Sequence, residues 1–155
     1  MIKTILSDLA YVLIFPQNKS YHDELNALYQ KVGSKNDFLF GEYFAINQSL
    51  FDYYNSLKSK YEIVMYTSGT LQNAKDVKHK VLETFSKVYS AAELGISKKD
   101  PNSYVFIAGK LKRNPSEILF IDDTLNNIEA AQKAGLETIR FQSNEALFRE
   151  VKSRL

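Results

Sequence analysis

The sequence predicts an α/β protein in which a parallel five-stranded sheet carries helices on both faces. Strand-like and helix-like segments alternate about five times along the chain, as in a parallel sheet with helical crossovers. The strand-like segments are apolar runs with little alternation, which is expected when both faces of a strand are buried. With 45% hydrophobic and 25% charged residues, the composition is that of a globular protein. One domain over residues 1–155 is therefore expected.

Short apolar runs and helical stripes locate the individual elements. The expected strands are residues 2–7, 61–67, 87–90, 117–121 and 137–141. The expected helices begin at or near Ser20, Asn47, Leu71, Pro101, Thr124 and Asn144, each next to a capping residue or an apolar stripe. The apolar stripes of the helices that begin near Leu71 and Pro101 place Leu82 and Val105, respectively, on buried faces.

One segment, residues 14–59, interrupts the alternation between the first and second strands. It is interpreted as a long crossover or as a small helical cap inserted into the domain. Nine of the 20 aromatic residues lie between Tyr21 and Tyr54. Such a cluster is usually the core of the insertion, whereas an exposed aromatic patch would indicate a homodimer contact.

Charge and composition exclude several classes of function. The net charge of +2 gives no basic surface for nucleic acid or an anionic membrane. The chain has no Cys and two His, which excludes disulfides, thiolate metal sites and a histidine cage. No apolar run reaches the ~20 residues of a membrane span, and Asp8 interrupts the first apolar segment, unlike a signal peptide. A cytoplasmic protein without nucleic-acid or membrane partners is expected.

Polar residues stand where four of the predicted strands end. They are Asp8 after the first strand, Thr67 and Ser68 at the second, Lys98 in the loop after the third, and Asp122 with Asp123 after the fourth. Ligands of open parallel sheets bind beyond the carboxyl ends of the strands. Three carboxylates on one rim repel each other unless a cation joins them, and Mg²⁺ is the divalent ion that best suits oxygen ligands with few carboxylates.

This set of side chains suits the transfer of a phosphoryl group. Asp8 would attack phosphorus and form an aspartyl-phosphate, which water then hydrolyses. Thr67, Ser68 and Lys98 would bind the phosphate oxygens. The expected partner is therefore a phosphorylated small-molecule substrate.

The same residues give the chain a resemblance to the haloacid dehalogenase superfamily of phosphohydrolases, over nearly its whole length. "ILSDLAYVL" resembles the first motif of that family, with Asp8 as nucleophile. "VMYTSG" is similar to the second motif, with Thr67 as the phosphate-binding hydroxyl, and "KKDPNSY" to the third, with Lys98 as the phosphate partner. "ILFIDDTLNNIEAAQKAGLETI" resembles the fourth and most specific motif, with Asp122 and Asp123 as direct and water-mediated Mg²⁺ ligands.

The resemblance implies further features of the fold and site. It implies a Rossmann-like sheet in the order 5-4-1-2-3 and a cap inserted after the first strand. It adds the backbone carbonyl of Ala10 to the Mg²⁺ ligands. Asn127 is expected to orient the acidic loop rather than touch the substrate.

Ala10 departs from the pattern of the phosphatase branch, where Asp normally follows the nucleophile by two residues. That Asp protonates the leaving oxygen and then activates water, and such catalysis is worth ~10²–10⁴-fold. Impaired phosphoryl hydrolysis is therefore expected. Three explanations fit: a weakly active or regulatory relative, an engineered substitution, or a substrate that needs no acid.

Two other functions are compatible with the sequence. The phosphonoacetaldehyde hydrolase branch carries Ala at this position and forms an imine on a cap Lys, for which Lys19, Lys31 and Lys35 are available, although no local sequence marks any of them. A non-catalytic phosphate- or protein-binding relative would keep the pocket and lose the acid. A metal-free dehalogenase fits less well, because Asp122 and Asp123 indicate a cation.

Overall fold

The centre of the structure, a computed structural model that describes residues 1–155, is a parallel sheet of five strands. A separate antiparallel pair makes up the remaining strands. The strands are Thr4–Ser7 (β1), Ile14–Pro16 (β2), Phe44–Ile46 (β3), Glu62–Thr67 (β4), Lys87–Ser90 (β5), Ile118–Asp122 (β6) and Glu137–Arg140 (β7). The α-helices are Leu25–Val32 (α1), Phe40–Tyr43 (α2), Gln48–Leu57 (α3), Lys75–Thr84 (α4), Ala91–Leu94 (α5), Pro101–Leu111 (α6), Leu125–Lys133 (α7) and Asn144–Arg154 (α8). Short 3₁₀ turns occupy Leu71–Asn73 and Pro115–Glu117.

The five strands of the main sheet lie in the order β5-β4-β1-β6-β7, and every neighbouring pair is parallel. If the five strands of this sheet are renumbered 1 to 5 in chain order, their order counted from the β7 edge is 5-4-1-2-3. The predicted fold class and the strand order implied by the resemblance are therefore confirmed. The central strand is β1, whose Leu6 pairs with Val64 of β4 and Phe120 of β6.

Two apolar layers cover the two faces of the sheet. Successive side chains of a strand point to opposite faces, so Ile5 belongs to the larger cluster and Leu6 to the smaller one. The larger layer includes residues of α3, α4 and α8, and the smaller layer includes residues of α6 and α7. Burial on both faces explains why the strand sequences are apolar without alternation.

The segment 14–59, predicted as a helical insertion, contains α1, α2 and α3 together with the antiparallel strands β2 and β3. These two strands were not predicted, because three-residue strands carry almost no periodicity. Within the segment, the rings of Phe40 and Phe44 stack at 4.9 Å between centroids. The Tyr54 hydroxyl donates to Ser7 Oγ at 2.9 Å, which ties α3 to the face of the main sheet.

Several predicted helix details were wrong. The first helix begins at Leu25 rather than near Ser20. Leu82 and Val105 are exposed by 64% and 52%. The buried face of α4 runs through Val77, Val81 and Thr84, and Leu82 lies one position beyond it. The buried face of α6 runs through Tyr104, Ile107, Ala108 and Leu111, one position away from Val105.

Asn144, which the sequence suggests as the cap of the last helix, is instead its first residue. Ser143 is the N-cap of α8, and its hydroxyl accepts from the backbone N–H of Ala146. The side chain of Asn144 instead exchanges hydrogen bonds with Asn47, 97 residues earlier in the chain. None of the helices is both long and apolar enough to cross a membrane.

Candidate active site

The three central strands bring the predicted site residues together at one edge of the sheet. Asp8 directly follows β1, Thr67 ends β4 and Asp122 ends β6. The register pairs Ser7 with both Met65 and Ile121, so the residues that follow lie side by side. The backbone N–H of Asp8 also donates to the carbonyl of Ile121 at 2.9 Å. Parallel pairing thus places residues more than 50 positions apart in the sequence at one edge.

Lys98 bridges two of the carboxylates. Its Nζ lies 2.8 Å from Asp8 Oδ1 and 2.7 Å from Asp122 Oδ2, and its side chain is 3% exposed. The rings of Tyr66 and Phe120 each lie 5.5 Å from the ammonium, within the range of cation–π attraction. The structure therefore holds one buried ammonium between two buried carboxyl groups.

The pKa values of this group follow from its burial. Loss of solvation, reinforced by the charge of Asp122 and opposed by Lys98, raises the pKa of Asp8 to about 8. Burial by itself would lower the pKa of Lys98, but the charges of Asp8 and Asp122 raise it above its ordinary value. Burial and then the charge of Asp122 raise the pKa of Asp123 as well. One ammonium cannot balance this many carboxylates, so a further cation would be favoured.

Three carboxylates form a candidate metal site. Ligand oxygens of Asp8, Asp122 and Asp123 lie within 4.8 Å of one another. The Asn127 amide donates to both oxygens of Asp122 at 3.1 and 3.2 Å, and the backbone N–H of Thr124 donates to its Oδ1 at 2.8 Å. A set of oxygen donors that is anionic and held in place suits a hard divalent cation.

Thr67 and Ser68 lie beside these carboxylates. The Thr67 hydroxyl is buried and has no hydrogen-bond partner in the protein. Such a group requires a partner from outside the chain, or it costs free energy. Ser68 lines a cavity of about 720 Å³ together with Asp8, Ala10 and Asp123. Four of the predicted site residues thus line one cavity, whereas Lys98 and Asp122 do not line it and are buried against Asp8.

Residues of the segment 14–59 that were not predicted also border this cavity. Asn26 Oδ1 accepts from the backbone N–H groups of Thr70 and Leu71 at 3.1 and 3.0 Å. The Tyr11 hydroxyl donates to the carbonyl of Asp23 at 2.6 Å. No sequence signal marks these contacts, because the partners lie far apart in the chain and none belongs to a motif.

The lysines considered for imine formation lie elsewhere. None of Lys19, Lys31 and Lys35 lines the cavity that contains Asp8. Lys19 lines a neighbouring cavity, and the Lys35 ammonium lies 5.9 Å from the ring of Tyr43.

Comparison with known families agrees with this geometry. The family model of the haloacid dehalogenase-like hydrolases matches residues 19–135, which is more than half of the chain. The chain therefore belongs to the haloacid dehalogenase-like hydrolase family.

Two curated relatives show how far sequence similarity extends. Enolase-phosphatase E1 of Sulfurihydrogenibium sp. (strain YO3AOP1) is 36% identical over 97 residues, which are 57% of this chain and 42% of that protein. Bifunctional epoxide hydrolase 2 of Rattus norvegicus is 30% identical over 67 residues, which are 43% of this chain and 12% of that protein. The matched region is thus less than half of either relative.

Solved structures share the fold over almost the whole chain. A haloacid dehalogenase family enzyme of Bacteroides thetaiotaomicron, solved as a magnesium complex, superposes with a TM-score of 0.70 at 21% identity and covers 96% of this chain and 98% of that one. A dehalogenase solved with an intermediate complex gives a TM-score of 0.69 at 17% identity, covering 92% of this chain and 86% of that one. At these identities the agreement concerns the fold.

Proposed function

We propose that this hydrolase is a Mg²⁺-dependent phosphohydrolase that works through an aspartyl-phosphate on Asp8. The convergence of Asp8, Lys98 and Asp122 at the carboxyl ends of β1 and β6 is the observation that supports it most strongly. The name of the enolase-phosphatase relative and the magnesium in a solved structure of the same fold point in the same direction.

The residues present fit a magnesium ion. Asp8, Asp122 and the backbone carbonyl of Ala10 would hold it directly, and Asp123 would hold it through water. When bound, Mg²⁺ would neutralise charge on the phosphoryl oxygens and favour the ionised form of Asp8. The unpartnered hydroxyl of Thr67 would donate to a phosphate oxygen, and Ser68 and the Lys98 ammonium would complete the binding of the phosphate.

Asp8 is placed to act as nucleophile. Its Oδ1 is contacted by the backbone N–H of Leu9 at 2.7 Å and by Lys98 at 2.8 Å, so Oδ2 is free of both contacts. In the first step a bond forms between an Asp8 oxygen and phosphorus while the bond to the leaving oxygen breaks. In the second step water attacks phosphorus, releases inorganic phosphate and restores Asp8.

Residue 10 limits this chemistry. An alanine methyl group transfers no proton, so esters with poor leaving groups should be hydrolysed slowly. This same feature favours a second candidate function, a non-catalytic phosphate- or protein-binding relative. The phosphonatase-like alternative needs a Lys at the reacting carbon, and the position of Lys19, Lys31 and Lys35 outside the cavity speaks against it.

We further propose that the segment 14–59 serves as the small cap of the site, with Tyr11 and Asn26 linking it to the core. A homodimer through its aromatic residues stays a prediction, and the packing of rings such as Phe40 and Phe44 against each other reduces the surface that such a dimer could use. The cytoplasmic location likewise stays a prediction.

Hydrolysis of p-nitrophenyl phosphate with Mg²⁺ tests the proposed function. Wild type should be slow, Asp8→Asn inactive, and Ala10→Asp faster than wild type, because the new carboxylate can activate the water that attacks the aspartyl-phosphate. If Ala10→Asp stays inactive while phosphate and Mg²⁺ still bind, the non-catalytic candidate is correct. An imine with phosphonoacetaldehyde, trapped by borohydride, would select the phosphonatase-like function.

A further inference from the structure

A second cavity, of about 590 Å³, lies next to the phosphate cavity. Its apolar wall consists of Tyr11, Phe15, Ala45, Ile46 and Phe141, together with Pro16. It contains no Asp or Glu, in contrast to the acidic phosphate cavity. A concave, mostly apolar site with a few polar groups, in the range of roughly 300–1,000 Å³, is typical of small-molecule binding.

The two cavities share a wall. Tyr11, Tyr21 and His22 line both of them, and Tyr11 directly follows Ala10. Because the two cavities adjoin at Tyr11, a group attached to a phosphate at Asp8 would reach the apolar cavity by extending past residue 10. This adjacency makes the second cavity the candidate site for the part of the substrate that leaves phosphorus.

The chemistry at residue 10 restricts the leaving group further. Without an acid the leaving oxygen departs as an anion, which favours a phenol (pKa about 10, as in Tyr) over an alcohol, whose pKa is far higher. The hydroxyls of Tyr11 and Tyr21 do not replace this acid, because each already donates its proton in a hydrogen bond, to the carbonyls of Asp23 and Glu24 respectively.

The walls of the second cavity are themselves aromatic. The ring of Phe15 lies 6.4 Å from that of Tyr11, edge to face, and 6.2 Å from that of Phe141. An aromatic ligand would add further contacts of the same edge-to-face or offset kind, which aromatic rings prefer.

We propose, on the basis of the proposed function, that the substrate is an aryl phosphate whose ring occupies the cavity lined by Phe15, Ile46 and Phe141. In the first step the bond between Asp8 and phosphorus forms and the bond from phosphorus to the aryl oxygen breaks. The electron pair leaves with the phenolate, which takes a proton from solvent. Water then attacks phosphorus, the bond to Asp8 breaks, and the proton from water passes to solvent, so that phenol and phosphate are the products.

A series of aryl phosphates and one alkyl phosphate test this assignment. The kcat/KM for substituted phenyl phosphates should rise steeply as the leaving phenol becomes more acidic. Ala10→Asp should make kcat/KM less dependent on the acidity of the phenol. Glycerol phosphate should be hydrolysed at least 100-fold more slowly than phenyl phosphate by the wild type. A flat dependence in the wild type would overturn the proposal, because another acid, such as His22, Asp23 or Glu24, would then protonate the leaving oxygen.

A variant that fills the cavity tests its role as the ring site. In Ala45→Trp, the ratio of kcat/KM for 1-naphthyl phosphate to that for acetyl phosphate should fall at least tenfold. Leu82→Trp places the same ring at an exposed position of α4 and should leave the ratio unchanged. An unchanged ratio in Ala45→Trp would overturn the proposal.

Failure of the proposed function is distinguishable from failure of this assignment. If wild type and Ala10→Asp hydrolyse no phosphate, including acetyl phosphate, calorimetry with phosphonates decides. Phenylphosphonate should then bind more tightly than methylphosphonate, and Ala45→Trp should remove the difference. Equal binding of the two phosphonates to the wild type would overturn the aryl cavity.

Discussion

The side-chain oxygen of Asn26 accepts a hydrogen bond from the backbone N–H of Thr70 at 3.1 Å, which joins α1 to the loop after β4. The same oxygen accepts from Leu71 at 3.0 Å. A Cβ atom on Gly69 would lie 2.5 Å from the Asn26 side chain, so only glycine fits there without a shift. The loop that carries Ser68 is thus held by a residue of the segment 14–59.

Asn26→Ala should weaken phosphate binding. The variant leaves two backbone N–H groups without their acceptor, each worth about 0.5–1.5 kcal/mol, and frees the loop that bears Ser68. We expect KM for p-nitrophenyl phosphate to rise roughly tenfold, with a smaller change in kcat. Asn26→Asp keeps the acceptor oxygen but adds a negative charge to the cavity, so at low ionic strength its KM should rise as well and should fall again as salt screens that charge. An unchanged KM in Asn26→Ala would show that the loop holds its shape without this contact.

Lys98→Met should destabilise the protein strongly. The substitution leaves the carboxylates of Asp8 and Asp122 buried without their cation, and loss of one partner from a buried ion pair costs about 3–5 kcal/mol. Urea unfolding measures this loss, and Mg²⁺ should recover part of it by supplying another cation. Lys99→Met is the matched control, because the neighbouring side chain is exposed. Equal stability of the two variants would contradict the burial of the ion pair.

Magnesium should raise the melting temperature, because the three carboxylates converge only in the folded chain. At a concentration 100 times Kd the gain is about 2.7 kcal/mol. Asp122→Ala should abolish the shift, whereas Asp76→Ala, an exposed acid of α4, should keep it. Thermal melts with and without millimolar Mg²⁺ measure both. Equal shifts in wild type and Asp122→Ala would place the ion elsewhere.

Magnesium affinity should increase with pH up to about 8. Burial raises the pKa of Asp8 to about 8, so below that pH the metal-free site retains a proton that the ion must displace. The dissociation constant should therefore fall by up to about tenfold per pH unit between pH 6 and 8 and level off above. Calorimetry at several pH values measures this, and Asp8→Asn should show weaker binding that is much less dependent on pH. A constant affinity in the wild type would show that Asp8 stays ionised.

Local sequence determined the five strands of the main sheet and most helices of this protein. A strand buried on both faces must be apolar throughout, so segments such as 62–67 and 118–122 are recognisable without their neighbours. Polar residues at strand ends then mark the expected ligand-binding edge, since parallel strands end on the same side. Asp8, Thr67 and Asp122 were predicted as site residues for that reason.

Tertiary structure alone decided the contacts between residues distant in sequence. The two carboxylates that Lys98 contacts, the acceptor that Asn26 offers to Thr70, and the apolar cavity between β2, β3 and Phe141 all depend on how elements pack. The exposure of Leu82 was also decided in this way, because α4 packs with Val81 buried and the next position turned to solvent. The periodicity of a sequence shows which residues share one face of a helix or strand. A site is formed by side chains from several elements, and the distances between those side chains are set by how the elements pack.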